Sequence, residues 1–141
     1  MNIDKVAILI KKAALEFDKI SNPILAQYDL TASQYKVLKY LYAQQSGAAR
    51  VVDLERQYSM THPTTLGLVD TLETKGFVTR IPNPLDARGK LVALTDKAKS
   101  MEEKLQNVGD SIEKRLTADL DENERKQLIA LLQKLLKIGE E

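Results

Sequence analysis

Cysteine is absent from this 141-residue chain, histidine occurs once, and aromatic residues make up only 5%. Without thiols there is no disulfide, no thiolate metal site and no thiol redox sensor. The lone histidine, His62, would need carboxylates alone to complete a metal site, so neither a metal nor any other cofactor is expected. Long apolar runs are also lacking. The longest, residues 6–10, is far too short to span a bilayer, and Asp4, Lys11 and Lys12 crowd it too closely for a signal-peptide core. A cytoplasmic protein with no membrane partner is therefore expected. The six glycines are scattered rather than gathered into a phosphate-cradling loop, and no nucleophile–base pair stands out, so no catalytic residues are assigned and an enzyme is not expected. Nor is there an excess of charge of one sign: the net charge is +1, which announces no nucleic-acid partner.

What is present is organised around residues 59–94. Pro63 suits a first helical turn, where its missing N–H costs nothing, and Gly76 suits the position just past a helix end. The spacing predicts a helix over about 62–75. Residues 77–81 then alternate as a strand, and residues 90–94 answer it. Between them, residues 82–89 are rich in turn formers and read as a hairpin tip. Lys75, Arg80, Arg88 and Lys90 against Asp86 give this stretch a modest basic character, although a plain solvated hairpin would look similar. A helix followed at once by a hairpin with a basic tip is the plan of a winged helix.

The flanking segments fit that plan. Apolar positions from Ile3 to Ile20 recur at helical spacing, with surplus apolar residues off the stripe, and Ser21-Asn22-Pro23 reads as a stop. Thr31 and Gln34 form a capping box, with Leu30 and Tyr35 as a hydrophobic staple. A short helix over about 52–58 and the turn at Ser59-Met60-Thr61 follow. Thr95 is placed to cap one long helix striped by Ala98, Met101, Leu105, Val108, Ile112 and Leu116, which Gly109 is placed to bend. Asp121 and Glu124 cap the last helix, whose Leu128, Ile129, Leu131, Leu132, Leu135, Leu136 and Ile138 wrap more than one face. The expected fold is mainly α with a small two-stranded β-wing: a winged helix-turn-helix of six helices that dimerises through its N- and C-terminal helices. Residues 1–29 would form the N-terminal dimerisation helix, 30–94 the DNA-binding domain, and 95–141 the long helix and C-terminal dimerisation helix. A monomer with its terminal helices packed on each other is the alternative.

Side chains near the start of a major-groove helix reach base edges. Here these are Thr61, His62, Thr64 and Thr65, with Gly67 one turn on and Ser59 in the preceding turn. On a helical wheel Thr65, Leu68, Val69 and Leu72 share the inward arc, leaving Thr64, Gly67 and Thr71 outward. Arg88 stands beside Gly89 at the hairpin tip, where an arginine can enter a minor groove, and Asp86 can orient it; an exposed ion pair is the bland reading of the same two residues.

The chain resembles the MarR family of bacterial transcriptional regulators, which are dimeric winged-helix proteins. The likeness rests on Leu30-Thr31-x-x-Gln34-Tyr35-x-Val37-Leu38, on Leu72-Glu73-x-Lys75-Gly76-Phe77-Val78-x-Arg80, on Asp86-x-Arg88-Gly89, and on Leu94-Thr95-x-x-Ala98. It implies that the helix at 63–75 enters the major groove and that Arg88 enters the minor groove with Asp86 fixing its geometry. Arg80 and Lys90 would support the wing or contact phosphates. It also implies a regulator, expected to be a repressor, that binds a palindromic operator in double-stranded DNA. Many members are released from DNA by small aromatic or phenolic effectors, for which Phe17, Tyr28, Tyr35 and Tyr42, with Tyr40, would line a pocket. One departure is Gly67, where many members carry a basic residue. A protein-interaction module that kept the fold but not DNA binding is the competing function.

Overall fold

A computed structural model describes residue 1 and residues 5–139. In chain order the elements are α1 (Val6–Ala26), α2 (Ala32–Ala43), β1 (Ala48–Ala49), α3 (Val51–Tyr58), α4 (His62–Thr74), β2 (Val78–Asn83), β3 (Asp86–Leu94), α5 (Asp96–Ser100), α6 (Glu102–Leu116) and α7 (Glu122–Leu136). They divide into two compact units, Met1–Ile20 with Gly109–Glu141, and Ser21–Val108. Among the described residues no helix is long and apolar enough to cross a membrane.

The unit Ser21–Val108 holds the winged helix-turn-helix. Its α2 starts as the capping box requires: Thr31 N–H donates to the Gln34 side chain at 3.1 Å, and Gln34 N–H to the Thr31 hydroxyl at 3.2 Å. Leu25, Leu38, Leu41, Leu54, Val69 and Leu72 are fully buried, so helices α2, α3 and α4 close on one another around branched aliphatic side chains. Helix α4 ends in a Schellman motif. Phe77 N–H reaches the Leu72 carbonyl at 2.9 Å, Gly76 N–H reaches that of Glu73 at 3.0 Å, and Gly76 takes φ +82°, which a side chain would resist. The chain is thereby turned straight into the sheet.

That sheet has three antiparallel strands in the order β1-β3-β2, where two were expected. The extra strand, β1, is two alanines paired with Ala93 and Val92, too short for any periodicity to show. The wing strands are also longer than their alternation suggests. Residues 82–83 and 86–89 belong to β2 and β3, leaving only Pro84 and Leu85 as the turn. Pro82 lies on the edge strand β2, beside a register shift between Pro82 and Asn83, a place where sheets tolerate proline.

Two helix boundaries differ from the sequence expectation. Helix α1 runs through Ser21-Asn22-Pro23 to Ala26, and Ile3 lies outside the described residues. An interior proline costs about 3 kcal/mol, whereas full burial of a leucine such as Leu25 returns about 1.5–3 kcal/mol. Burial of Leu25, two residues beyond the proline, offsets much of that cost as the helix continues past its breaker. Seven helices, not six, are present among the described residues because the long helix after Thr95 breaks at Met101. There the Ala98 carbonyl accepts the Met101 amide at 3.1 Å and also the Tyr42 hydroxyl. A side chain inserted into the ladder sets the break; Gly109 sits undisturbed inside α6.

In the unit Met1–Ile20 with Gly109–Glu141, helix α7 starts at an Asp121–Glu124 capping box with bonds of 2.8 and 3.0 Å. It buries no residue at all. Val6, Leu9, Ile10, Leu128, Leu132 and Leu135 line an apolar groove of about 650 Å³.

Candidate nucleic-acid interface

Helix α4 begins at Thr61, whose hydroxyl accepts from Thr64 N–H at 3.3 Å and lies 3.0 Å from the Thr64 hydroxyl. This is an N-cap, so Thr61 is occupied in starting the helix. His62 and Pro63 form the first turn. The His62 ring nitrogen Nδ1 lies 2.9 Å from Glu55 Oε1 of α3, which anchors the ring to the preceding helix while it stays exposed. Ser59, one residue past α3, adopts φ +51° and ψ +44° and donates its N–H to the Glu55 carbonyl, forming the sharp corner between α3 and α4.

The wheel expectation largely matches the burial: Thr64, Gly67 and Thr71 are exposed, Val69 and Leu72 are fully buried, and Leu68, expected inward, is half-buried. Thr65 is a correction. Its side chain is fully buried and its hydroxyl donates to the Thr61 carbonyl at 2.8 Å, so it belongs to the inward arc and cannot reach DNA. Thr71 and Thr74 spend their hydroxyl protons on the Gly67 and Asp70 carbonyls, at 2.9 and 3.0 Å. Each can still accept a hydrogen bond or present a methyl group. Thr64 can still donate. At Gly67 an added Cβ would meet nothing within 4 Å, so the middle of this face is open.

Charge is distributed more narrowly than the count of basic residues suggests. Lys75 does not face outward with the others: its ammonium donates to the Asp29 carbonyl at 2.6 Å and to the Gln34 side chain at 3.0 Å, tying the end of α4 to the start of α2. Arg80 on β2 hydrogen-bonds Asp70 and lies 3.6 Å from Glu73, both acids on the exposed side of α4. It ties the wing to the helix and offsets part of the charge of two carboxylates that would repel phosphate. Asp70 and Glu73 are the residues sequence reasoning missed, although two acids three apart on an outward helical face, followed by an arginine on the next strand, were a readable signal.

Arg88 remains as the wing's outstretched cation, its side chain 95% exposed. Asp86 acts on it chiefly through the backbone. One carboxylate oxygen accepts Arg88 N–H at 3.0 Å, while the guanidinium Nε lies farther off, at 3.7 Å. The arginine's root is fixed and its head is free to reach. Lys90 is exposed on β3, in register with Pro82.

The expected effector residues do not all meet. Tyr35 and Tyr42 line one cavity of about 320 Å³ with Lys39, Ala43, Glu102, Leu105 and Gln106. Their hydroxyls donate to the Leu105 and Ala98 carbonyls, the first at 2.6 Å. Burial, and after it the Glu102 carboxylate, push the Tyr42 hydroxyl up to about 12. Tyr28 sits in the turn after α1 and Tyr40 packs edge-on to Tyr58, 6.5 Å between ring centres; neither lines the cavity. Phe17 belongs to the other unit.

Residues 30–90 match the model of the MarR family. The multiple antibiotic resistance protein MarR of Salmonella typhimurium is 36% identical over 120 residues, covering 84% of this chain and 82% of that protein. The crystal structure of a mutant MarR from E. coli complexed with operator DNA superposes with a TM-score of 0.85 at 33% identity, covering 95% of both chains. The S. aureus MepR–DNA complex gives a TM-score of 0.83 at 29% identity, covering 94% of this chain and 97% of that one. With the Thr31–Gln34 capping box, the Asp86–Arg88 wing and this similarity along most of its length, the chain belongs to the MarR family.

Proposed function

We propose that the chain is a sequence-specific, DNA-binding transcriptional regulator, a repressor in sense, that grips a palindromic operator as a homodimer. The observation that carries this is the pairing, within one unit, of the open N-terminal face of α4 with a wing whose Arg88 is rooted by Asp86 yet almost wholly exposed. Thr64, His62 and the space over Gly67 face the major groove; Arg88 takes the adjacent minor groove, and Lys90 a phosphate. The solved relatives support the reading, since MarR was crystallised with operator DNA and MepR with DNA. A non-binding interaction module would leave an extended arginine at an exposed tip without purpose.

The homodimer is supported by the other unit. Leu131 is 65% exposed and Leu136 61%, on a helix with no buried residue, and a second copy offers the same apolar surface in return. Two α4 helices then address half-sites one turn, roughly 34–36 Å, apart. The cavity beside Tyr35, Lys39, Tyr42 and Glu102 supports a small aromatic or phenolic effector that releases DNA by favouring a spacing of the two helices that the operator cannot match. Such a regulator works in the cytoplasm, at the nucleoid when bound.

Selection from random duplex DNA tests the proposal. An enriched palindrome bound by two chains is the expected outcome; a folded dimer that enriches nothing would contradict it.

A further inference from the structure

Leu85 is 94% exposed, far more than the other aliphatic side chains of its unit. A lone exposed leucine on a flat surface carries no meaning, but this one forms half of the two-residue turn at the tip of the wing. Such tips favour glycine, asparagine and aspartate, which give the turn its backbone without an apolar side chain in water. Here the turn is Pro84-Leu85, and it is pinned: Pro84 fixes one φ, and the Asn83 side chain accepts Leu85 N–H at 2.9 Å. On the other side, the Asp86 carboxylate is engaged with Arg88 N–H. The tip therefore presents a pinned apolar pair, Pro84 and Leu85, beside an exposed guanidinium, with its one acid bonded to the backbone.

We propose that Leu85 is a second DNA-reading element of the wing, an apolar wedge that enters the minor groove alongside Arg88 and presses on a base step at the flank of each half-site. This rests on the DNA-binding reading above. The chemistry is complementary: arginine follows the negative potential of a narrow groove, while leucine and proline have no hydrogen bond to offer and fit sugar edges and unstacked base faces. A wedge of this kind reads deformability. The flank should favour pyrimidine–purine steps, which open most easily.

The test compares wild type, Leu85→Ala, Leu85→Met and Arg88→Ala on the selected palindrome, and on the same palindrome with its flanking steps replaced by stiff ones. Leu85→Ala should weaken binding five- to twenty-fold on the flexible flank and much less on the stiff one. Its salt dependence should stay that of wild type, since an apolar contact releases no counterions. Leu85→Met should restore affinity to within about twofold, while Arg88→Ala should make the salt dependence shallower. Leu85→Ala binding within twofold of wild type on both flanks would overturn the inference. So would an alanine variant that binds normally but no longer regulates, which would assign the tip to a protein partner. Wild type failing to bind any duplex would instead refute the DNA-binding reading itself. Leu85 touches no core, so unfolding does not confuse the result.

Discussion

Thr64 and Gly67 stand one turn apart on the exposed face of α4 and contribute in opposite ways. Thr64 has a hydroxyl free to donate to a base-edge acceptor, so Thr64→Ala should change the preferred site more than the affinity for random DNA. Selections run in parallel with both proteins check this; identical consensus sites would count against direct readout by Thr64. Gly67 contributes absence. Since a Cβ there meets nothing, Gly67→Ala should raise helix stability by about 0.5–1 kcal/mol, seen as a higher melting temperature without loss of fold. Tyr42 behaves differently again. Its hydroxyl, raised to about 12, is a proton donor to the Ala98 carbonyl at physiological pH. A folded-state value above the ordinary 10.0 means this contribution is fully present below pH 10 and fades as pH rises toward 12. Thermal melts of wild type and Tyr42→Phe should therefore converge in that window; a gap that persisted above it would rule out the hydrogen bond as the cause.

Between elements, the junction of α4 and the wing is held by Arg80. Arg80→Ala removes one cation and uncovers Asp70 and Glu73 on the exposed side of α4. Affinity should fall by more than a single phosphate contact is worth, and Asp70→Asn with Glu73→Gln in the same chain should recover most of it. Titration of the single, double and triple variants against one duplex reads this directly, and no recovery would mean that Arg80 acts on DNA itself. The elements were legible to different degrees for physical reasons. Capping boxes at Thr31–Gln34 and Asp121–Glu124 and the Gly76 terminus are local chemistry, written in four or five adjacent residues. Failures arose where a distant partner decides. Leu25 helps carry α1 through Pro23 by being buried, and the Tyr42 hydroxyl, bonded to the Ala98 carbonyl fifty-six positions away, marks the break of the long helix before Glu102. Strand β1 exists because β3 offers it a ladder. In the interface, Arg88 and the outward threonines could be read from spacing. The inward place of Thr65 was legible on the wheel, and its hydroxyl meets the Thr61 carbonyl one turn back. The diversion of Lys75 to Asp29 was not legible, because it depends on which neighbour the fold supplies.

At the scale of the whole molecule the claim is that two chains act as one reader. The apolar surface of α7 predicts that Leu131→Asp yields monomers, seen by sedimentation, and that those monomers lose the palindrome by far more than half the affinity, since two half-sites no longer share one binding event. A dimer unaffected by that change would place the interface elsewhere. The most direct test of the account is the salt dependence of binding to the selected palindrome, measured for wild type and Arg88→Ala. Wild-type affinity should fall steeply as salt rises, and removal of the two wing arginines of a dimer should flatten the log–log slope by about two. Equal slopes and equal affinities for the two proteins would contradict it, because the wing would then not be touching DNA.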